Sequence, residues 1–282
     1  MFKLNDNELL EYIKEDVPYL DLTTTIQEMT EKKAKMKIFT REDVIVACSE
    51  EAARVAQLFG CEINFMLPSK AKAKQGDVLL EFGGSYEDVQ SAWRSTQLIL
   101  EYSCKIATYA YEMKQAIASV NPHCELLVTR KHFPFAKRFC IKSIMCGGAM
   151  PHRLGLSETV LLFAHHRKVY SDNEAFYTAL HDIKTKALEK KIVVEPEDFD
   201  DALSLMKHGA DVLQMDKTSL QTLKEIAAYR DAHYPHIKIL GAGGIDKENA
   251  KEFVQTGIDG VVTSKIYFCG MADMGSNLEI IS

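Results

Sequence analysis

The hydrophobic pattern changes near residue 123, where short apolar runs begin to alternate with longer amphipathic stretches. The short runs predict strands at 125–129, 159–164, 192–195, 212–215, 237–240 and 260–263. The amphipathic stretches predict helices near 173–190, 198–208, 218–232 and 247–256. Alternation of this kind indicates a parallel sheet with right-handed crossovers, in the form of either a barrel or an open doubly wound sheet.

The residues before 123 follow another pattern, in which weakly alternating runs lie between helical stretches. Strand-like runs occupy 33–48 and 61–82, and helical patterns occupy 5–16, 50–59 and 86–120. Asp21 lies in an acidic segment that we interpret as a cap and turn. The first part of the chain is therefore predicted to be a small α+β domain.

Composition narrows the possible partners. The chain has 282 residues, of which 46% are hydrophobic and 26% are charged, and its net charge is −6. An acidic chain is not expected to bind nucleic acid or anionic membranes, and the apolar runs are too short to span a bilayer. Seven cysteines without a C-x-x-C pair are typical of free thiols, so we expect a cytoplasmic protein.

Cations follow the first predicted barrel strand. Thr129, Arg130 and Lys131 end this strand, and His152 and Arg153 come about twenty residues later. Arginine suits a bidentate contact with carboxylate or phosphate, and lysine adds a compact charge. The cluster predicts an anion site, although the same residues could also be solvated surface charges.

Carboxylates follow two other predicted strands directly. Glu195 comes after Ile192–Val194, and Asp216 comes after Val212–Met215. Chemistry in parallel barrels lies at the carboxyl ends of strands, and Mg²⁺ takes one or two carboxylates together with phosphate oxygens. The pair therefore predicts a magnesium or substrate site. The alternative is that both residues are helix N-caps or ion-pair partners of the nearby cations.

A glycine-rich turn follows the predicted strand 237–240. Ala242, Gly243 and Gly244 form this turn, and Thr263 and Ser264 end the next strand. Glycines allow close approach of the backbone, and barrels frequently bind phosphate at this position. These five residues are candidates for contacts with a phosphate group.

The motifs Thr129-Arg130-Lys131, Gly147-Gly148 and 152–156 resemble the central motif of the quinolinate phosphoribosyltransferases, also called carboxylating nicotinate-nucleotide pyrophosphorylases. The form HRLGLSET at 152–159 is more similar to the ModD branch, which is associated with molybdenum transport. The resemblance implies an incomplete, seven-stranded α/β barrel with a smaller N-terminal α/β sandwich domain. The sandwich would span 1–110 and the barrel 111–267, with 268–282 packing back on the sandwich.

The resemblance also implies roles for the candidate residues. The reaction would move a phosphoribosyl group from phosphoribosyl pyrophosphate to a heterocyclic acid, with Mg²⁺ as cofactor. The residues that would grip the acid are Arg130, Lys131, His152 and Arg153, together with Arg94 of the partner subunit in a homodimer. Glu195 and Asp216 would lie beside the ribose and metal and, with Lys131, form the catalytic group. The loops at 242–244 and 263–264 would bind the 5′-phosphate.

Two departures from the family pattern leave the identity of the acceptor acid undetermined. The family has Lys-Asp-Asn-His where this chain has 164–167, Ala-His-His-Arg, and Asp-Asn where it has Asp216-Lys217. Lys217 would either restore the missing charge or face a different ring. Two other functions remain possible: a Schiff-base lyase that uses Lys131 or Lys217, and a binding protein of molybdenum metabolism that no longer catalyses transfer.

Overall fold

The computed structural model describes residues 1–29 and 31–281. The strands are β1 (Lys33–Thr40), β2 (Val44–Ile45), β3 (Glu62–Met66), β4 (Lys72–Ala73), β5 (Val78–Ser85), β6 (Glu125–Val128), β7 (Met150–Pro151), β8 (Val160–Leu162), β9 (Ile192–Val194), β10 (Val212–Asp216), β11 (Lys238–Ala242), β12 (Gly260–Thr263) and β13 (Met274–Ile281). The helices are α1 (Asp6–Asp16), α2 (Leu22–Gln27), α3 (Ser49–Leu58), α4 (Tyr86–Ala118), α5 (Lys137–Cys146), α6 (Ala164–Arg167), α7 (Asn173–Lys186), α8 (Phe199–Lys207), α9 (Leu220–His233) and α10 (Ala250–Val254). A 3₁₀ turn covers Lys265–Phe268.

The chain forms two compact units. The first contains Met1–Tyr111, His132–Gly148 and the residues from Tyr267 onward, and the second contains Glu112–Lys131 and Ala149–Ile266. Within the described part of the chain, no helix combines the length and the apolar character needed to cross a membrane.

The first unit is built on an antiparallel sheet with the strand order β13-β1-β5-β3. Burial alternates along β1, so that Ala34, Met36 and Ile38 enter the core. Leu9 of α1 and Val55 of α3 pack into the same core. The late strand β13 pairs with β1 along its whole length, from Lys33 opposite Ile281 to Thr40 opposite Met274.

Helices α2 and α5 were absent from the sequence-based prediction. Asp21, interpreted from the sequence as a cap, is the N-cap of α2, and its carboxylate accepts the N–H of Thr23 at 2.9 Å. In α5, Lys142 is buried and its ammonium donates to Glu51 at 2.5 Å. A buried lysine requires such a partner, and the sequence separates the two residues by 91 positions.

The second unit is a seven-stranded parallel sheet with the order β7-β6-β12-β11-β10-β9-β8. Strands that follow one another in the chain lie side by side from β8 to β12, and β12 pairs with β6. The edges β7 and β8 do not pair, so the curled sheet stays open between them. This is the incomplete seven-stranded α/β barrel that the resemblance implied. The sequence pattern alone had allowed either a barrel or an open doubly wound sheet.

Two details of the barrel differ from the prediction. The seventh strand, β7, was missed because it contains only Met150 and Pro151, which is too short for a periodic signal. The predicted strand 159–164 ends at Leu162, and the chain then turns into α6. His165 and His166 consequently lie on a helix.

Candidate active site

The inner face of the barrel sheet carries most of the predicted site residues. A small apolar cluster from four neighbouring strands marks this face: Leu127, Val212, Leu240, Ala242 and Val262. Side chains alternate between the two faces of a strand, so residues an even number of positions further along lie on the same face. This rule places Thr129, Asp216 and Ser264 on the inner face, at the carboxyl ends of β6, β10 and β12. Val193 pairs with Val212 and Met150 pairs with Leu127, so both lie on the inner face. Glu195 and His152, two positions further along, therefore lie on the same face.

The side of the site that follows β6 and β7 is cationic. Backbone pairing holds His152 in place, because its N–H donates to the carbonyl of Val128 at 2.8 Å. Burial, followed by the charges of Arg153 and Arg130, lowers the pKa of His152 to about 4. Burial and Arg130 also lower the pKa of Arg153. Arg130, His152 and Arg153 therefore lie close together, and His152 is a neutral ring at pH 7.

The depressed pKa of His152 makes the free energy of unfolding depend on pH. Histidine in the unfolded chain takes up a proton near pH 6.5, whereas folded His152 does so only near pH 4. The contribution of neutral His152 to the free energy of unfolding is therefore fully present above pH 6.5. It is lost as the pH falls from 6.5 to about 4. We expect acidification from pH 7 to 4.5 to cost the wild type ~2 kcal/mol more than the variant His152→Gln.

Chemical denaturation at both pH values measures this difference. The matched control is His236→Gln, which removes an exposed histidine and should lose stability on acidification as the wild type does. Equal losses in the wild type and in His152→Gln would contradict the assignment of a partly buried, neutral ring.

The side of the site that follows β9 and β10 is acidic. Burial, followed by repulsion from Asp216, raises the pKa of Glu195, while the positive charge of Lys131 lowers it. The two carboxylates therefore lie near each other and near Lys131. Neither carboxylate is a helix cap, because Asp198 caps α8 and Ser219 caps α9. Among the described residues, neither forms an ion pair with Arg130 or Lys131, so the structure contradicts both parts of the alternative interpretation.

Gln214 is a site residue that the sequence-based prediction missed. It lies two positions before Asp216 on the inner face of β10 and is 7% exposed. Its side-chain N–H donates to Glu195 Oε2 at 3.4 Å, which also lowers the pKa of Glu195. An amide in an otherwise apolar strand was a usable signal, because buried polar side chains normally have a specific partner.

Hydroxyl groups connect the ends of β6 and β12. Thr129 Oγ1 and Ser264 Oγ are 2.7 Å apart, and Thr129 also accepts the N–H of Lys131 at 3.2 Å. Thr263, a predicted substrate contact, is instead buried on the outer face. Its hydroxyl donates to the carbonyl of Ile245 at 2.6 Å and accepts the N–H of Lys265. Of the predicted hydroxyl pair, Ser264 is the member on the inner face.

The glycine-rich turn packs directly against the end of β10. Gly243 has φ +88°, and a Cβ at this position would lie 2.6 Å from the backbone nitrogen of Lys217 and 2.7 Å from Asp216 Oδ1. Only glycine permits this contact. Lys217 has φ 53°, a left-handed conformation uncommon for its residue type, and its N–H donates to the carbonyl of Ala242 at 2.9 Å. The turn and Lys217 thus hold each other beside Asp216.

The open edge of the barrel is bordered by the loop 152–159 and the end of β8. Glu158 accepts the backbone N–H groups of Leu154 and Gly155 and thereby shapes this loop. The guanidinium of Arg153 lies 6.0 Å from the centre of the Phe163 ring, which stacks on the exposed His166 at 5.8 Å. An aromatic surface therefore stands where the family pattern predicts a lysine.

Arg94 belongs to the first unit and lies on α4. Its side chain is exposed, and its guanidinium is 3.7 Å from the buried carboxylate of Glu101. Arg94 and Trp93 line an open groove of about 560 Å³ together with the segment that contains Leu20 and Leu22. Leu20 is 52% exposed and Leu22 is 65% exposed, so this part of the unit presents apolar side chains beside a cation.

Comparisons with known proteins agree with this geometry. The profile of the N-terminal domain of quinolinate phosphoribosyl transferases matches residues 21–104, and the profile of their C-terminal domain matches 106–274. The ModD protein of Rhodobacter capsulatus is 33% identical over 250 residues, covering 89% of this chain and 96% of that protein. ModD of Escherichia coli strain CFT073 is 29% identical over 279 residues, with coverage of 99% and 98%.

A solved structure has the same fold. The nicotinate-nucleotide pyrophosphorylase of Francisella tularensis superimposes with a TM-score of 0.88 at 19% identity, covering 98% of both chains. At this identity the likeness concerns the fold alone.

Proposed function

The chain belongs to the quinolinate phosphoribosyl transferase family, and we propose that it transfers a phosphoribosyl group from phosphoribosyl pyrophosphate to the ring nitrogen of a heterocyclic acid. The observation that carries this proposal is the two-sided site. Arg130, His152 and Arg153 form a cationic side, and Glu195 and Asp216 form an acidic side at the same end of one parallel sheet. Such a site suits an anionic acceptor and a magnesium-bound diphosphate.

The acidic pair is chemically suited to Mg²⁺. Within the described residues, no group of three or more histidine, cysteine, aspartate or glutamate side chains is placed to hold a metal by itself. Magnesium is typically bound by one or two carboxylates, with substrate phosphates and water completing its shell. Glu195 and Asp216 would supply those carboxylates, and their mutual repulsion favours a bound cation. Bound Mg²⁺ would offset the charge of the diphosphate.

The protein residues position the substrates and stabilise charge. Arg130 and Arg153 would bind the acid group of the acceptor, with neutral His152 as a hydrogen-bonding neighbour. Lys131, whose charge acts on Glu195, would offset negative charge on the departing pyrophosphate. Ser264 and the turn at Gly243 would hold the 5′-phosphate. The ring nitrogen then forms the new bond to C1 of the ribose as the bond to pyrophosphate breaks.

Pyrophosphate release tests the proposed function. The enzyme is incubated with phosphoribosyl pyrophosphate and Mg²⁺, with and without quinolinate, and the product mass is measured. Quinolinate-dependent release, with formation of nicotinate mononucleotide and loss of one carboxyl group as CO₂, would establish the parent reaction. Release with another heterocyclic acid would establish transfer to a different acceptor. Saturable binding of phosphoribosyl pyrophosphate without release for any acceptor would favour a binding protein.

The surroundings of the lysines give no support to a Schiff-base mechanism. The side chains of Lys131 and Lys217 are exposed, so neither has the desolvation that activates a lysine nucleophile. Borohydride trapping with a carbonyl substrate should therefore leave both residues unmodified.

We also propose that the protein is a cytoplasmic homodimer in which each site receives Arg94 from the partner subunit. The exposed apolar residues Leu20 and Leu22 beside exposed Arg94 support a docking surface of this kind. Six buried cysteine thiols, all in the described part of the chain, are consistent with a reducing compartment.

Mixing two variants of reduced activity tests the shared site. Arg94→Ala should lower activity about tenfold, and Glu195→Ala lowers it further. If each site combines Arg94 of one subunit with Glu195 of the other, half of the sites in mixed dimers are intact. Co-expression in equal amounts should then restore about a quarter of wild-type activity. Activity of only about one-twentieth, the value expected when both residues come from one subunit, would contradict the proposal.

A further inference from the structure

A buried ion pair lies behind the acidic side of the site. The guanidinium of Arg167 binds the carboxylate of Asp201 through two hydrogen bonds, Nη1 to Oδ2 at 2.5 Å and Nη2 to Oδ1 at 2.9 Å. Both side chains are 4% exposed. Tyr177 donates its hydroxyl to the same carboxylate, and Asn173 accepts from Nη2 of Arg167 at 2.8 Å. The pair is thus fully enclosed and has several partners, unlike an exposed surface ion pair.

The pair connects two loops at the carboxyl ends of neighbouring strands. Arg167 is the last residue of α6, which follows β8, whereas Asp201 lies in the first turn of α8, which follows β9. Asp201 Oδ2 also accepts the backbone N–H of Glu197 at 2.8 Å. Glu197 comes two residues after Glu195, so the carboxylate of Asp201 fixes the short segment that carries Glu195.

We propose that the Arg167–Asp201 pair is a positioning device for Glu195. Arg167 orients Asp201, Asp201 holds the backbone at Glu197, and the segment 195–197 keeps the Glu195 carboxylate facing Gln214 and Asp216. This inference rests on the proposed function for its effect on turnover. Its structural part, the immobilisation of 195–197, holds independently of the substrate.

The same sheet provides a matched control at its opposite end. Arg230 pairs with Asp259, and its side chain is 6% exposed. Its guanidinium also donates to the carbonyls of Ile237 and Gly257, and Asp259 accepts the N–H of Ile239 at 2.9 Å. These contacts lie before β11 and β12, at the amino ends of the strands. Replacing Arg230 removes a buried, hydrogen-bonded arginine, as replacing Arg167 does, without touching a loop of the site.

The test compares Arg167→Met with Arg230→Met in the full-length protein. Both variants should unfold at lower denaturant concentration than the wild type, because each removes a buried arginine that is hydrogen-bonded to an aspartate. Arg167→Met alone should lower kcat about tenfold, and it alone should require more Mg²⁺ for half-maximal rate. Equal kinetic changes in the two variants, or none in Arg167→Met, would overturn the proposal.

Hydrogen exchange of the backbone provides a measurement that does not depend on activity. In Arg167→Met, the amide protons in a peptide spanning 195–201 should exchange at least tenfold faster, whereas Arg230→Met should leave them as in the wild type. If the wild type transfers no phosphoribosyl group, the proposed function fails and this exchange result alone decides the positioning role. Unchanged exchange in Arg167→Met would overturn it.

A milder pair of variants covers the case in which Arg167→Met does not fold. Asn173→Ala removes one hydrogen bond from Arg167, and Asp201→Asn keeps an acceptor for the N–H of Glu197 while removing the charge. Both should accelerate exchange at 195–201 and raise the Mg²⁺ requirement by a few-fold. Wild-type values for both quantities in both variants would contradict the proposal.

Discussion

Replacing Glu195 by alanine should lower turnover about a hundredfold, the scale of losing one preorganised electrostatic group. Glu195 is the more enclosed member of the acidic pair, and it is held from one side by the amide of Gln214. Burial and repulsion from Asp216 raise its pKa. Removal of the carboxylate would leave Asp216 alone to face the magnesium-bound diphosphate and would leave Gln214 without its acceptor.

Two companion variants sharpen this expectation. Glu195→Gln keeps the shape and removes the charge, so a similar loss of kcat would assign the effect to charge. Glu197→Ala removes an exposed carboxylate two positions away and should leave kcat within twofold of the wild type. Near-normal turnover in Glu195→Ala, measured by pyrophosphate release at saturating Mg²⁺, would remove Glu195 from the site.

Replacing Arg130 by alanine should lower kcat/KM for the acceptor about a hundredfold. Arg130 is exposed, yet its charge lowers the pKa of both His152 and Arg153, which places it within the cationic cluster. An arginine fork binds a carboxylate through two parallel hydrogen bonds, and the ammonium of lysine cannot reproduce this geometry. Arg130→Lys should therefore recover only part of the loss.

A surface arginine provides the comparison for Arg130. Arg41 is exposed and pairs with Asp273 at 3.1 Å in the first unit. Arg41→Ala should leave kcat/KM unchanged, since exposed ion pairs contribute little. A similar decrease in both variants would attribute the effect of Arg130 to overall charge, and an active Arg130→Ala would contradict its role in acceptor binding.

The local hydrophobic pattern was sufficient to predict most strands of the barrel, in which strands alternate with helices. Strands such as 192–194 and 212–216 have strong apolar runs that end in a carboxylate, and the sequence located both within one residue. It could not locate β7, because two residues carry no periodicity. Helix α5 was also missed. Its Lys142 is buried against Glu51 and the partly exposed Glu50, and partners so distant in the sequence leave no local signal.

Some residues of the candidate site could likewise be predicted from neighbouring sequence, whereas the roles of others depend on partners far away in the sequence. Arg130, Glu195 and Asp216 were predicted as site residues because polar residues that follow apolar strands are a local signal. Thr263 carries the same signal, but its position in the alternation turns it toward the outer face. Arg167 stood out only as a departure from the family pattern. Its role depends on Asp201, which is 34 positions away in the sequence.

The pairing of β13 with β1 affects the order in which the protein can fold during synthesis. The sheet of the first unit includes residues 33–40 and residues 274–281, so this edge of β1 stays uncovered until residues 274–281 have left the ribosome. Every strand of the barrel is synthesised before that point. The barrel unit can therefore complete its own sheet first, and the unit that begins the chain is the last to be finished.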